Sequence, residues 1–253
     1  MHAPPPPLPA GLFRHGEAPA PIELAPDGLA KAASQLARDG RVILMAHEDW
    51  LPADLPVEGA ADEADLRAER GERALPGALA RRRITRAVLA RAGGYHPKDW
   101  TIRLDENGAP RLEGPEPGWF VSYSARGPLG LIGMARQPIG VDLEIEDPAL
   151  DIPFNILTAD EARVIRGFAP SLRNRLFFRL WAAKEAIAKA RGVGFREPPE
   201  RISLPMPGIE TTLVSSKHPM IVLTREGLSV FESGFNGRLP AASLRITIAV
   251  ALG

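Results

Sequence analysis

The sequence predicts an α+β protein of two pseudo-symmetric α/β halves, each a small antiparallel-rich sheet packed on a long helix. Three observations carry this. Two long stretches of good helix formers, 62–92 and 158–191, are each surrounded by short apolar or alternating runs that read as strands. The coarse order of strands, long helix, strands occurs twice without any repeat of residue identity, which puts a boundary near residue 136. The 253 residues give room for two small units with a sizeable core. The expected organisation is a proline-rich leader at 1–20, an N-terminal half at 21–136 and a C-terminal half at 137–253.

Composition excludes several classes. Lysine plus arginine equals aspartate plus glutamate, 31 each, whereas a dedicated nucleic-acid binder shows a basic excess. With no cysteine, disulfides, thiolate metal sites and cysteine nucleophiles are ruled out, which fits the cytoplasm. The start, MHAPPPPLPAG, lacks the basic and apolar regions of a signal peptide; its prolines favour an extended leader. No apolar run approaches the roughly 18 residues of a membrane helix. The expectation is a soluble, cytoplasmic monomer.

Taken in order, 27–38 reads as a short helix and 41–46 as a strand. The stretch 62–92 is acidic first and basic later, and Pro76–Gly77 is expected to break it into two helices. Ile84, Val88 and Leu89 give the second of these its buried side. WTIRL at 100–104 is a strand followed by a turn at ENGAP, and WFVSYS, LGLIGMA and IGVDLEI are further strands. The second helical block opens on Thr158 with Glu161 three residues later, a capping signal. The tail offers the short strands ISL, IVLT and LRITIAVAL.

FFRLWAAKEAIAKA is the strongest helix. On a wheel, Leu176, Leu180, Ala183, Ile187 and Ala190 form an apolar stripe. Phe177, Trp181, Lys184, Glu185, Ala188 and Lys189 fall on the remaining side and suggest a second contact surface. The plain alternative is a wet helix with a Glu185–Lys189 pair worth about 0.2–0.5 kcal/mol. In GVDLEIED at 140–147, alternation sends Val141, Leu143 and Ile145 to one side and Asp142, Glu144 and Glu146 to the other. Neighbouring carboxylates then lie roughly 6–7 Å apart, close enough for two to share a cation. An all-oxygen donor set favours Mg²⁺. A solvated strand face is the plainer alternative.

Together, G-V-D-L-E at 140–144 and W-A-A-K-E-A-I-A-K at 181–189 resemble the paired signatures of the 4′-phosphopantetheinyl transferases, in the length range of the surfactin-type, two-half branch. The likeness runs roughly from residue 60 to 205 and includes the arginine-rich helix, the ENGAP turn, the SYS segment, and the RGVGF and RISL stretches. It implies transfer of the phosphopantetheine arm of coenzyme A to a serine of an apo acyl or peptidyl carrier protein. Adenosine 3′,5′-bisphosphate is released and Mg²⁺ is required. By position, Asp142, Glu144 and Glu185 match the metal-binding acids, with Glu146 outside the set. Lys189 matches the lysine on the coenzyme A phosphates, and Glu185 and Lys189 are the catalytic candidates. Lys184 belongs to the motif without an assigned role. The resemblance also implies a cleft between the two halves.

Two positions depart from the family pattern. Ser-His-Ser reads Ser122-Tyr123-Ser124, and Gly-Lys-Pro reads Gly108-Ala109-Pro110. Arg82, Arg83, Arg86, Arg111 and Arg126 are candidates to replace the lost phosphate donors, with a solvated face as the alternative for the helical three. The departures leave a second reading open, a catalytically weak or inactive relative that binds coenzyme A or a carrier protein. Tyr123→His is expected to tighten coenzyme A binding, most at acidic pH. Arg163, Arg166, Arg173 and Arg175 are expected to draw an acidic carrier. His2, His15, His47, His96 and His218 show no metal-ligand spacing and read as structural or surface residues.

Overall fold

A computed structural model describes residues 21–24, 27–47, 60–193, 196–204, 219–224, 227–232 and 246–252. The leader, His2, His15, His218, Gly194 and Phe195 lie outside the described residues. The described chain is mixed α+β and divides after Gln137 into two compact units.

In the first unit, β1 (Ile22–Glu23), β2 (Arg41–His47), β5 (Phe120–Arg126) and β6 (Leu129–Ala135) form a sheet in the order β1-β2-β6-β5. Its pairs are antiparallel except β1–β2. The helices α1 (Gly28–Asp39) and α2 (Ala60–Gly93) join this sheet in one core. That core is built from Leu29, Ala32 and Leu36 of α1 with Ile84, Val88 and Leu89 of α2. Strands β3 (Thr101–Leu104) and β4 (Pro110–Glu113) pair separately.

The expected break at Pro76–Gly77 does not occur: α2 continues through Pro76. A proline removes one backbone donor and costs about 3 kcal/mol within a helix. The turns that follow bury Ala78, Ala80, Ile84, Val88 and Leu89. Tertiary burial of that kind, more than local propensity, holds helices in proteins.

In the second unit, β7 (Ile139–Ile145), β8 (Pro219–Thr224), β9 (Gly227–Glu232) and β10 (Ile246–Leu252) form a sheet in the order β7-β10-β8-β9. β10 runs antiparallel to β7 and parallel to β8. The second helical block resolves into α3 (Ala159–Gly167) and α4 (Pro170–Arg191). The capping box is made: Thr158 Oγ1 accepts from Glu161 N at 3.2 Å, and Thr158 N donates to Glu161 Oε2 at 2.9 Å. Pro170 starts α4 in its first turn, where a missing N–H costs nothing. Gly192, with φ 66°, ends it in the left-handed conformation that glycine adopts without strain.

The expected strand ISL is a correction. Residues 202–204 follow a 3₁₀ turn at 199–201 and are irregular. Ile202 and Leu204 bury their side chains in the α4 core, and Leu204 N donates to Glu161 Oε1 at 3.3 Å instead of to a strand neighbour.

Candidate functional site

The second unit brings β7 and α4 into direct backbone contact. A Cβ built on Gly140 would lie 1.8 Å from the Ala186 carbonyl oxygen and 2.5 Å from Ala190 N. The Gly140 face of β7 therefore meets α4, and alternation puts Asp142 and Glu144 on that same face. Further along, Glu146 meets the earlier turns of α4. Its carboxylate lies 3.6 Å from Arg175 Nε and 3.7 Å from Arg179 Nε, and accepts from Thr247 Oγ1 at 3.2 Å. Helix and strand thus run in opposite directions, with 186–190 beside Gly140 and Asp142, and 175–179 beside Glu146.

Along α4 from Leu176 to Ala190, every residue is buried except three: Trp181, Glu185 and Lys189. Spaced by four, they form one stripe on the helix surface. Phe177, Lys184 and Ala188, which the wheel put off the apolar stripe on the side read as a second contact surface, are buried. The reason is that α4 is packed on more than one side: Ala249 and Ala251 of β10 join its core, and so do Ile165 of α3 and Ile202 and Leu204. Phe177 stacks on Trp181, with centroids 6.5 Å apart and planes 13° off parallel.

The stripe meets the strand at Lys189. Its Nζ donates to Asp142 Oδ1 at 2.6 Å and to the Val141 carbonyl at 3.2 Å. Asp142 is 1% exposed and Glu144 4%, so neither lies on the solvated strand face of the plainer alternative. Among the described residues, no group of three or more His, Cys, Asp or Glu side chains is gathered so as to hold a metal ion.

Sequence reasoning missed a second polar centre beneath the stripe. Lys184 Nζ pairs with Glu161 Oε2 at 2.6 Å and donates to the Pro199 carbonyl at 2.9 Å. Both side chains are 1% exposed. One buried pair therefore ties the start of α3, the middle of α4 and the 199–204 segment together. The capping signal at Thr158 was the only trace of Glu161 in the sequence, and it gave no hint of Lys184 as partner.

Residues 138–249 match the family model described as the 4′-phosphopantetheinyl transferase superfamily. The match contains β7, α4 and every residue of the stripe. The chain is also 33% identical over 123 residues to a putative 4′-phosphopantetheinyl transferase of Synechocystis sp., covering 46% of this chain and 49% of that protein. It is 32% identical over 171 residues to a phosphopantetheinyl transferase of Thraustochytrium sp., covering 57% and 58%. The chain thus spans about half the length of these curated relatives.

The candidates in the first unit lie outside the superfamily match. Arg82 and Arg86 are buried, not solvated, and Arg86 Nε donates to the Trp100 carbonyl at 2.9 Å. Arg83 is half-buried, and Arg126 is exposed at the end of β5. The strand splits Ser122-Tyr123-Ser124. Tyr123 packs with Val121 and Ile132 in the helix-side core, so alternation turns Ser122 and Ser124 to the opposite face, where both are buried. Tyr123 Oη shares a 2.9 Å hydrogen bond with Thr85 Oγ1. Burial pushes its pKa up to about 12, against the pull of that bond and of the Arg82, Arg81 and Arg86 charges. Arg81, in this group, was not singled out from sequence.

Several arginines expected to hold phosphate or to draw an acidic carrier make contacts within the chain. Arg111 pairs with Asp105 at 2.7 Å, and Asp105 Oδ1 also accepts from Asn107 N and Ala109 N to build the ENGAP turn. Arg173 donates to the Phe168 and Arg166 carbonyls at 2.7 and 2.9 Å, satisfying the end of α3. Arg175 serves Glu146. Arg163 pairs with Asp160 on the surface, and Arg166 lies over the Phe154 ring.

Proposed function

We propose that this chain is a 4′-phosphopantetheinyl transferase of the surfactin-type branch. It moves the phosphopantetheine arm of coenzyme A onto the serine of an apo acyl or peptidyl carrier protein and releases adenosine 3′,5′-bisphosphate. The observation that carries the reading is the Trp181–Glu185–Lys189 stripe, the accessible line on an otherwise buried stretch of helix, anchored at Lys189 to the buried Asp142. The superfamily match over the same residues supports it.

The donor chemistry is of the kind that Mg²⁺ takes. Asp142 and Glu144 are hard oxygen ligands on one strand face, and Glu185 lies one turn from Lys189. Mg²⁺ takes only one or two carboxylates and fills its other positions with water and substrate phosphate, so a cage of three acids is not required. Asp142, Glu144 and Glu185 would share this role. Bound there, the ion would supply charge neutralisation to the pyrophosphate.

The chain's own groups do the rest. The carrier serine oxygen attacks the β-phosphorus, forming one P–O bond as the bond to the bridging oxygen breaks. Glu185 takes the serine proton, directly or through water. Lys189 stabilises the charge gathering on the departing phosphate. Arg83 and Arg126 are our candidates for the nucleotide phosphates. Arg82 and Arg86 would act from their buried positions as fixed positive charge, and Ser122, Tyr123 and Ser124 as neutral groups.

Incubation with coenzyme A, Mg²⁺ and several apo-carriers, read by mass spectrometry, tests the reading. A carrier mass gain of one phosphopantetheine arm is expected, and omission of Mg²⁺ should abolish it. The second reading, a weak or inactive relative, is favoured by Ala109 and by the Tyr123 hydroxyl being engaged with Thr85. Coenzyme A binding without transfer to any carrier would establish that reading instead.

A further inference from the structure

Lys184 and Lys189 stand five residues apart on α4, and each meets a buried carboxylate at 2.6 Å. Their surroundings differ. Lys184 and its partner Glu161 are both sealed at 1% exposure. The Lys189 side chain is 28% exposed, while that of its partner Asp142 is 2% exposed. The Lys189 ammonium therefore sits on an interior carboxylate at the end of a side chain that is partly open to solvent. It hangs on a flexible four-carbon stem, so it can swing off without any movement of the helix.

A buried carboxylate requires a cation or donors to offset its desolvation. Here Lys189 supplies that charge. Under the transferase reading, on which this inference rests, the same ammonium serves the departing phosphate and the same carboxylate serves the metal. While the two are bonded to each other, each occupies the other's binding group.

We propose that Lys189 is the resident counter-ion of Asp142 in the ligand-free chain, exchanged for Mg²⁺ when the coenzyme A pyrophosphate draws the ammonium away. Lys189 then competes with the metal until the substrate arrives, and metal and substrate bind with positive coupling. Linkage makes that coupling reciprocal.

The test is calorimetric titration of Mg²⁺ into the parent protein, Lys189→Met and Lys189→Gln, without coenzyme A, after circular dichroism has established that each is folded. Lys189→Gln keeps a neutral donor for Asp142 and guards against a methionine variant that fails to fold. Both variants should bind Mg²⁺ about tenfold more tightly than the parent, equivalent to about 1.4 kcal/mol of removed competition. Mg²⁺ affinity that is unchanged or weaker in the folded variants overturns the proposal. In that case a parent that binds Mg²⁺ and modifies a carrier leaves the transferase reading standing. If neither parent nor variants take up Mg²⁺, the exchange is overturned, and the metal part of the transferase reading is decided separately by whether omission of Mg²⁺ abolishes carrier modification.

Discussion

Replacing Gly140 with alanine tests the strand–helix contact on which the candidate site is built. The added Cβ would lie 1.8 Å from the Ala186 oxygen, whereas ordinary contact begins at 3.4 Å. The shortfall of about 1.6 Å falls on helix backbone, which has no rotamer to change. β7 and α4 must separate where Gly140 meets Ala186 and Ala190, close to the 2.6 Å contact between Lys189 and Asp142. Overpacking in a core costs about 1–3 kcal/mol, and with backbone as the obstacle the expected loss is about 3 kcal/mol. Gly167→Ala is the control, because its Cβ would meet nothing within 4 Å. Equilibrium urea denaturation of both variants measures the difference, and carrier modification by Gly140→Ala should fall with it. If Gly140→Ala unfolds within about 0.5 kcal/mol of the parent, the helix is not seated on the strand as described.

Lys184→Met should cost about 3–5 kcal/mol in urea denaturation, because it leaves the Glu161 carboxylate buried without its cation; Glu161→Gln added to it, which removes the charge but keeps an acceptor for the Thr158 and Leu204 amides, should recover much of that loss. Thr158→Ala should lower stability by about 1 kcal/mol by removing the cap of α3, measured in the same way. Tyr123 titrates in the folded state above the ordinary tyrosine value, so its contribution is complete below that value and is lost as pH rises from about 10 toward 12. The loss should reach roughly 3 kcal/mol in urea denaturation across that window and be absent in Tyr123→Phe. Tyr123→His, expected from sequence to tighten coenzyme A binding in acid, should show no such acid-dependent gain, because Arg82, Arg81 and Arg86 oppose an imidazolium there; coenzyme A titrations at about pH 6 and about pH 8 measure this.

The legible parts of the sequence were those set by local rules. Alternation in IGVDLEI gave β7 and the common face of Asp142 and Glu144, and Thr158 with Glu161 gave the start of α3. Sequence failed where packing overrode a local rule. Pro76 did not end α2, because the turns beyond it bury a continuous apolar face. ISL did not become a strand, because its apolar residues are held by the α4 core and its Leu204 amide by Glu161.

The W-A-A-K-E-A-I-A-K segment shows most plainly why the site was only half legible. The wheel put Lys184, Glu185 and Lys189 together off the apolar stripe, where they look alike. With partners on more than one side, burial divides them. Lys184 goes inward to Glu161 and Pro199 and fixes the position of the helix. Glu185 and Lys189 stay on the accessible stripe, one turn apart. The motif therefore combines a structural demand with a chemical one, and residue type cannot separate them, since both need a lysine. What separates them is the exposure of the lysine itself, 1% for the Lys184 side chain and 28% for that of Lys189. Glu161 is sealed with its lysine, whereas the lysine on Asp142 keeps part of its side chain exposed. A lysine that neutralises a buried acid and remains exchangeable is the arrangement that a metal and a phosphate, arriving together, would use.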